Sequence, residues 1–299
     1  MNTEITDIKD FLWGRDDAGF TAVPSAVARE RMLARRGERM FVAGWHDVLM
    51  IHFEVDAVAL QRAVPFELDR WQGRAWVSLV AFTMRGMRPV AGGKLGEWIF
   101  RPIATHDFLN VRTYVRHQGE RGIHFIAEWL NSRMAAALGP VAFGLPYRHG
   151  RIEYQNDWHR DEWHGQVEDA ASGGNLRYRA ERLEPRPAGR TGLPRPDLFQ
   201  PGRAGTLDEW LMERYIAFNS AGGIKRSFRV WHPPWPQCRA RVTVEDKSLL
   251  TRHWPWFANA RLRGANYSPG FEEVWMGRPH FRSRTKQRDQ GFRHEVFFG

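Results

Sequence analysis

Apolar residues in this chain fall mostly in runs with strand periodicity, and helical spacing is confined to a few short stretches. Residues 40–55 are apolar and β-branched enough for one long or bent strand, with Trp45 and His52 along it. Asp56 is placed to cap a short helix over Ala57–Ala63, which Pro65 stops. A turn at 68–74 leads into 75–84, a nearly continuous apolar strand that reads as buried on both faces. Residues 86–96 read as loop. Alternation is sharpest in Asn110-Val111-Arg112-Thr113-Tyr114-Val115, which a turn at 117–122 joins to a second strand, 123–127. Strand side chains alternate between faces, so Asn110, Arg112 and Tyr114 share one face and Val111, Thr113 and Val115 the other.

Further on, a short helix over 132–138 ends at Gly139-Pro140, and a turn at 145–148 precedes strands near 151–154, 163–168 and 175–182. Residues 184–205 hold five prolines and read as a long loop. Thr206-Leu207-Asp208-Glu209 is a capping box that opens a helix reaching about residue 218. Strands near 224–232 and 239–245 complete the pattern. Ahead of it all, residues 25–36 are rich in helix formers and closed by Gly37, which suggests a helix packed on the main body. The chain thus divides into a helical appendage (1–38), a β domain (39–277) and a basic tail (278–299). The fold class is β-rich α+β: an antiparallel, closed or partly closed β-barrel or sandwich around a central cavity, with a few short helices.

Composition refines this picture modestly. The 299 residues include 14 tryptophans and 19 phenylalanines, enough aromatic surface for a substantial core. A single cysteine, Cys238, rules out an intramolecular disulfide and suits a reducing compartment. The N-terminal stretch lacks the pattern of a secretion signal, and no apolar run has the length of a membrane span, so the expectation is a cytoplasmic protein with no membrane partner. The net charge of +10 reflects a bias toward arginine, since only five of the 44 basic residues are lysines. Arg278, Arg282, Arg284, Lys286, Arg288 and Arg293 could grip a nucleic-acid backbone, but a solvated chain end is the commoner reading of such a run.

Candidate chemistry centres on the polar face of the 110–115 strand. A mid-strand arginine is expensive to bury without a partner, and an anionic ligand would supply one. Arg112 would hold a carboxylate bidentately, with Asn110 and Tyr114 orienting it. The alternative is that Arg112 pairs with Glu213 or Glu128 and braces the fold. Glu213, Arg214 and Tyr215, on the capped helix, could cover a cavity mouth, and a helix face with an internal ion pair explains them as well. For acid–base work the candidates are Glu128 and His124, the latter only if it faces inward with Arg112. A Schiff-base nucleophile would need a lysine in an apolar pocket, and Lys225 is the only arguable one. No metal is expected, since no His-Glu-x-x-His or cysteine pair occurs and His159 with His164 is weak spacing. No phosphate-binding glycine loop occurs, so no cofactor is expected.

Several stretches resemble the YqjF-like family of uncharacterised bacterial proteins, within the acetoacetate decarboxylase-like superfamily. They are residues 68–77, Phe82-Thr83-Met84-Arg85-Gly86-Met87-Arg88-Pro89, Asn110 through Val115, Leu145-Pro146-Tyr147, Leu211-Met212-Glu213-Arg214-Tyr215 and His232-Pro233-Pro234-Trp235-Pro236. The resemblance implies a closed or nearly closed antiparallel β structure around a cavity, covered by small helices. The family pattern carries a glutamate where this chain has Phe108 and an aspartate near Glu128-Trp129, which leaves Asp107 or Glu128 as the acidic partner of Arg112. The resulting expectation is a protein for a small-molecule carboxylate, with a homo-oligomer as a further option, and if an enzyme then a lyase without a Schiff-base lysine. A non-catalytic carrier or sensor is the alternative, and nucleic-acid binding a weaker one.

Overall fold

Strand alternation dominates the chain, and the computed structural model, which describes residues 23–183 and 199–281, turns it into one continuous sheet. The first part comprises α1 (Ser25–Leu33), β1 (Arg39–Val55), α2 (Ala57–Ala63), β2 (Glu67–Leu68), β3 (Ala75–Pro89) and α3 (Gly93–Phe100). Next come β4 (His106–His117), β5 (Glu120–Leu130), α4 (Arg133–Phe143), β6 (Tyr147–His149), β7 (Arg151–Asp157), β8 (Glu162–Asp169) and β9 (Gly174–Arg182). The remainder is β10 (Gln200–Pro201), α5 (Leu207–Met212), β11 (Ile216–Ala221), β12 (Ile224–Trp231), β13 (Pro236–Asp246), α6 (Ser248–His253), β14 (Arg261–Gly277) and β15 (His280–Phe281). The basic tail beyond residue 281 and most of the proline-rich loop lie outside the described residues.

The sheet runs β12-β11-β5-β4-β3-β1-β14, and β12 also pairs with β14 through Val230↔Met276 and Trp231↔Trp275, so these strands close into a ring. Pairing around it is antiparallel except between β5 and β11, which meet in parallel at Ala217↔Ile123. From β14 the sheet continues outward through β13, β9, β8 and β7. This arm packs on the outer wall of the ring, where Tyr154 donates a hydrogen bond to the carbonyl of Phe108 at 2.7 Å. Two apolar cores result. The outer one, between wall and arm, holds Val111, Val115, Leu49 and Ile51 with Trp163 stacked on Tyr267 at 4.0 Å. The inner one, inside the ring, holds Met50, Val80, Phe82, Trp210, Leu211 and Trp235.

Local chemistry explains where the elements follow the pattern and where they depart from it. Asp56 caps α2 by accepting from Ala59 N–H at 2.7 Å, as its position requires. The stretch expected as loop, 86–96, instead continues β3 to Pro89 and then starts α3, whose entry relies on the positive φ of Gly92 and Gly93. α4 passes through Pro140, where one backbone bond is lost, and ends at Gly144 in the left-handed region. α5 keeps its cap, with Thr206 accepting from Glu209 N–H, but it stops at Met212 rather than near residue 218. There Glu213 leaves helical geometry, and β11 turns back into β12 across Gly222 and Gly223, both at positive φ. α1 lies against the ring: Trp231 donates to Ser25 O at 3.0 Å, and Met32 is fully buried. No helix among the described residues is long and apolar enough to cross a membrane.

Candidate functional site

One end of the ring encloses a cavity of about 410 Å³, within the range of small-molecule sites. Phe41 and Trp45 of β1, Phe82 and Met84 of β3 and Phe228 of β12 supply much of its apolar wall. Phe100 from the end of α3 and Leu138 and Phe143 from α4 close its outer side. Few polar groups reach in: Trp45, His106, Asn110, Glu128 and Tyr147.

The alternation of β4 accounts for His106, Phe108 and Asn110, which sit two residues apart on the inward face. Glu128 needs a further device. Along β5, Phe125 pairs with Arg112, yet Glu128 pairs with Asn110, because one extra residue at Ile126 bulges the strand. Before the bulge the inward residues are odd-numbered, after it even-numbered, and so the carboxyl of Glu128 faces the same interior as Phe125. Tyr147 follows across the next pairing, Glu128↔Tyr147. Its ring fits because α4 carries Gly139 there; a Cβ at that position would lie 2.0 Å from the Tyr147 ring.

Glu128 is buried, and its side chain has no hydrogen-bond partner among the described residues. Desolvation pushes its pKa well above the usual carboxylate range, which favours the protonated form. Burial likewise lowers His106 to about 4, leaving the imidazole neutral with Nδ1 unpartnered. Asn110 Oδ1 and Trp45 Nε1 are also buried without partners. Tyr147 is raised well above its ordinary value by burial and then by the neighbouring Glu128. The cavity is therefore an apolar chamber with a few polar groups in its wall: Asn110 and Glu128 face each other across β4 and β5 at one end, and His106 lies four residues back along β4, beside Trp45. A neutral carboxyl in such a setting can donate a hydrogen bond or a proton.

Of the residues singled out from the sequence, Asn110 and Glu128 meet at this end. Arg112, the next inward residue along β4, does not line the cavity. Its guanidinium donates to Leu211 O at 2.9 Å and to Met50 Sδ at 3.1 Å, and Nε is left unpartnered. It forms no ion pair among the described residues. Glu128 and Glu213 do not brace it, and Asp107 faces the other way, accepting from Thr83 at 2.7 Å. Tyr114 also donates to Leu211 O, at 3.0 Å, and its hydroxyl meets Ser78 Oγ at 2.6 Å. From Ser78 a buried chain continues through His52 (2.8 Å) and Asn266 (3.0 Å) to Asp208 (2.6 Å), which ties α5 into the ring. Burial, and then the charge of Arg112, lower His52 to about 3.

Glu213 and Tyr215 lie elsewhere, and the expectation that they cover the cavity mouth is corrected. They line a separate hollow of about 220 Å³ under α1, together with Arg31, Arg121 and Arg229. Glu213 accepts from Tyr215 and, at 2.8 Å, from Trp235 N–H, and desolvation lifts its pKa to about 7. His124 shares the outer face with Thr113, its partner in register, and its Nδ1 hydrogen-bonds with Phe218 O at 2.8 Å. It therefore does not point inward with Arg112. Lys225 sits 5.0 Å over the Phe66 ring, and no lysine among the described residues lines the cavity. His106, Tyr147 and Trp45 were not among the expected site residues, although the parity of β4 marks His106 as inward-facing and the Leu145-Pro146-Tyr147 stretch contains the tyrosine.

Comparison with known proteins agrees with this architecture. The chain is 27% identical to the uncharacterized protein YqjF of Bacillus subtilis (strain 168) over 217 residues, covering 70% of this chain and 79% of the relative. Acetoacetate decarboxylase from Legionella pneumophila superposes with a TM-score of 0.56 at 10% identity, covering 82% of this chain and 87% of that one. The enduracididine biosynthesis enzyme MppR complexed with pyruvate superposes at 0.50 with 12% identity, covering 82% and 90%. At such identities the likeness is one of fold: a strand-rich, acetoacetate decarboxylase-like architecture. The model of the DUF2071 family, described as "Uncharacterized conserved protein (COG2071)", matches residues 42–270, and the chain belongs to that family.

Proposed function

We propose that this protein takes a small organic acid with an apolar body into the ring, with the acid's polar end against Glu128 and Asn110, and that Glu128 moves protons in a lyase-type reaction. The observation that carries this reading is the carboxyl of Glu128, buried at the end of an apolar cavity with no partner of its own. Desolvation favours its protonated form, which donates where a charged carboxylate would repel an anionic ligand. Arg112 adds a buried cation without a carboxylate partner, whose field reaches the ring interior and favours an anion there. The similarly folded MppR binds pyruvate. A Schiff-base route finds no lysine in this cavity among the described residues.

The test is retention and turnover of a panel of 2-oxo and 3-oxo acids with aliphatic or aromatic side chains, followed by mass spectrometry. We expect selective retention of the longer acids and consumption of at least one. Glu128→Gln should lower turnover by about 10²-fold or more while retention persists. Retention without consumption would identify a carrier. Neither retention nor consumption, or full turnover by Glu128→Gln, would remove the proposal.

A further inference from the structure

The rim of the cavity is apolar on its outer side as well as its inner one. Helix α3 turns Leu95, Trp98 and Ile99 outward at helical spacing, with 67%, 70% and 57% of their surfaces exposed. The second helix at the mouth, α4, exposes Met134 and Leu138, and Leu138 also lines the cavity. Apolar surface thus continues from the exterior through Leu138 into the chamber. Exposed apolar side chains on both helices that close the cavity mark a contact surface rather than an ordinary solvated face.

Cations frame the patch. Lys94 precedes Leu95, Arg101 follows α3 and Arg133 opens α4; all are exposed, and none forms an ion pair among the described residues. Glu97, the acid within α3, lies 3.4 Å from Arg88. Two copies of this rim brought face to face would oppose like charges, whereas an anionic surface would neutralise them. A tryptophan among aliphatic side chains, flanked by lysine and arginine, matches the chemistry of a lipid headgroup region.

We infer that the rim formed by α3 and α4 docks onto an anionic lipid bilayer and that the ligand enters the cavity from that side; the second clause rests on the organic-acid reading above. The docking is peripheral, through side chains of two short helices.

Pelleting the full chain with vesicles of phosphatidylcholine alone or mixed with phosphatidylglycerol tests this. The chain should pellet with the anionic vesicles and be released by salt. Leu95→Ser/Trp98→Ser/Ile99→Ser should weaken partitioning at least about tenfold. Lys94→Glu/Arg101→Glu should weaken it and flatten its salt dependence. These positions are exposed, and unchanged circular dichroism will confirm that the variants fold. A chain that stays in the supernatant with both vesicle types, or a triple variant that pellets like the parent, overturns docking. So does a dimer in light scattering that the triple variant dissolves while vesicles are ignored, which would assign the patch to a second copy. Glu128→Gln should pellet like the parent. Loss of acid retention by the parent with vesicle binding intact would count against the cavity reading and leave docking standing.

Discussion

The two faces of the ring wall invite comparison, because the same strands build both. On the outer face β4 presents Val111, Thr113 and Val115 to the arm, and the core there is closed around the Trp163–Tyr267 stack. On the inner face the same strand presents His106, Asn110, Arg112 and Tyr114, and space is left beside them. Close packing converts apolar area into stability, whereas buried polar groups without partners cost stability. The outer face is therefore built for stability, and the inner face gives some of it up for a chamber that can hold something.

The contrast is broken most directly from the outside. Trp163→Ala should cost about 3–5 kcal/mol in urea denaturation, with ligand retention by the remaining folded protein unchanged. A comparable loss from Glu128→Gln would erase the distinction between the faces. Glu128 should act in the opposite sense, through pH. Its folded pKa lies above the ordinary value of 4.5, so the folded state binds its proton more tightly and the associated stability is fully present below pH 4.5. As pH rises from there through the folded pKa, that stability is lost at up to about 1.4 kcal/mol per unit. Glu128→Gln should thus match the parent at pH 4 and become progressively more stable than it toward neutrality, read as the difference between paired denaturation curves. His106, lowered by burial, titrates in both proteins and cancels in that difference. The smallest effect is expected for Arg112→Met: a stability change under about 1 kcal/mol, because an unpaired buried cation is itself costly, alongside weaker retention of organic acids.

Much of this division was legible in the chain. The alternation of residues 110–115 separated the two faces of β4, and Asp56, Thr206 and the strand runs placed α2, the start of α5 and the strands of the arm. What escaped depends on partners distant in sequence or on glycine geometry. α3 hid behind Gly92, Gly93 and Gly96, although Leu95, Trp98 and Ile99 carry the helical spacing. The capping box carries the expected helix to about residue 218, into the first half of β11, whereas the Gly222-Gly223 turn makes that strand half of a hairpin. The ring closes through β12 and β14, a pairing that local pattern does not report. At the site, parity gives Asn110 its face, whereas the local pattern offers Glu128 as a candidate and leaves its face open. Arg112 was expected to hold a ligand directly because the alternation that turns it inward does not reveal that Leu211 O waits for it.

The extra residue at Ile126 has a consequence beyond this molecule. It sets the parity of everything downstream in its strand, and with it whether an acid or a tryptophan occupies the chamber wall: Glu128 looks in and Trp129 out only because the count is what it is. A one-residue deletion there would exchange them without altering the identity of either side chain. In a scaffold of this kind, the lengths of strands are as much a record of chemistry as the letters they are written in, and relatives with gaps at this point should be expected to carry a different reactive group in the same place.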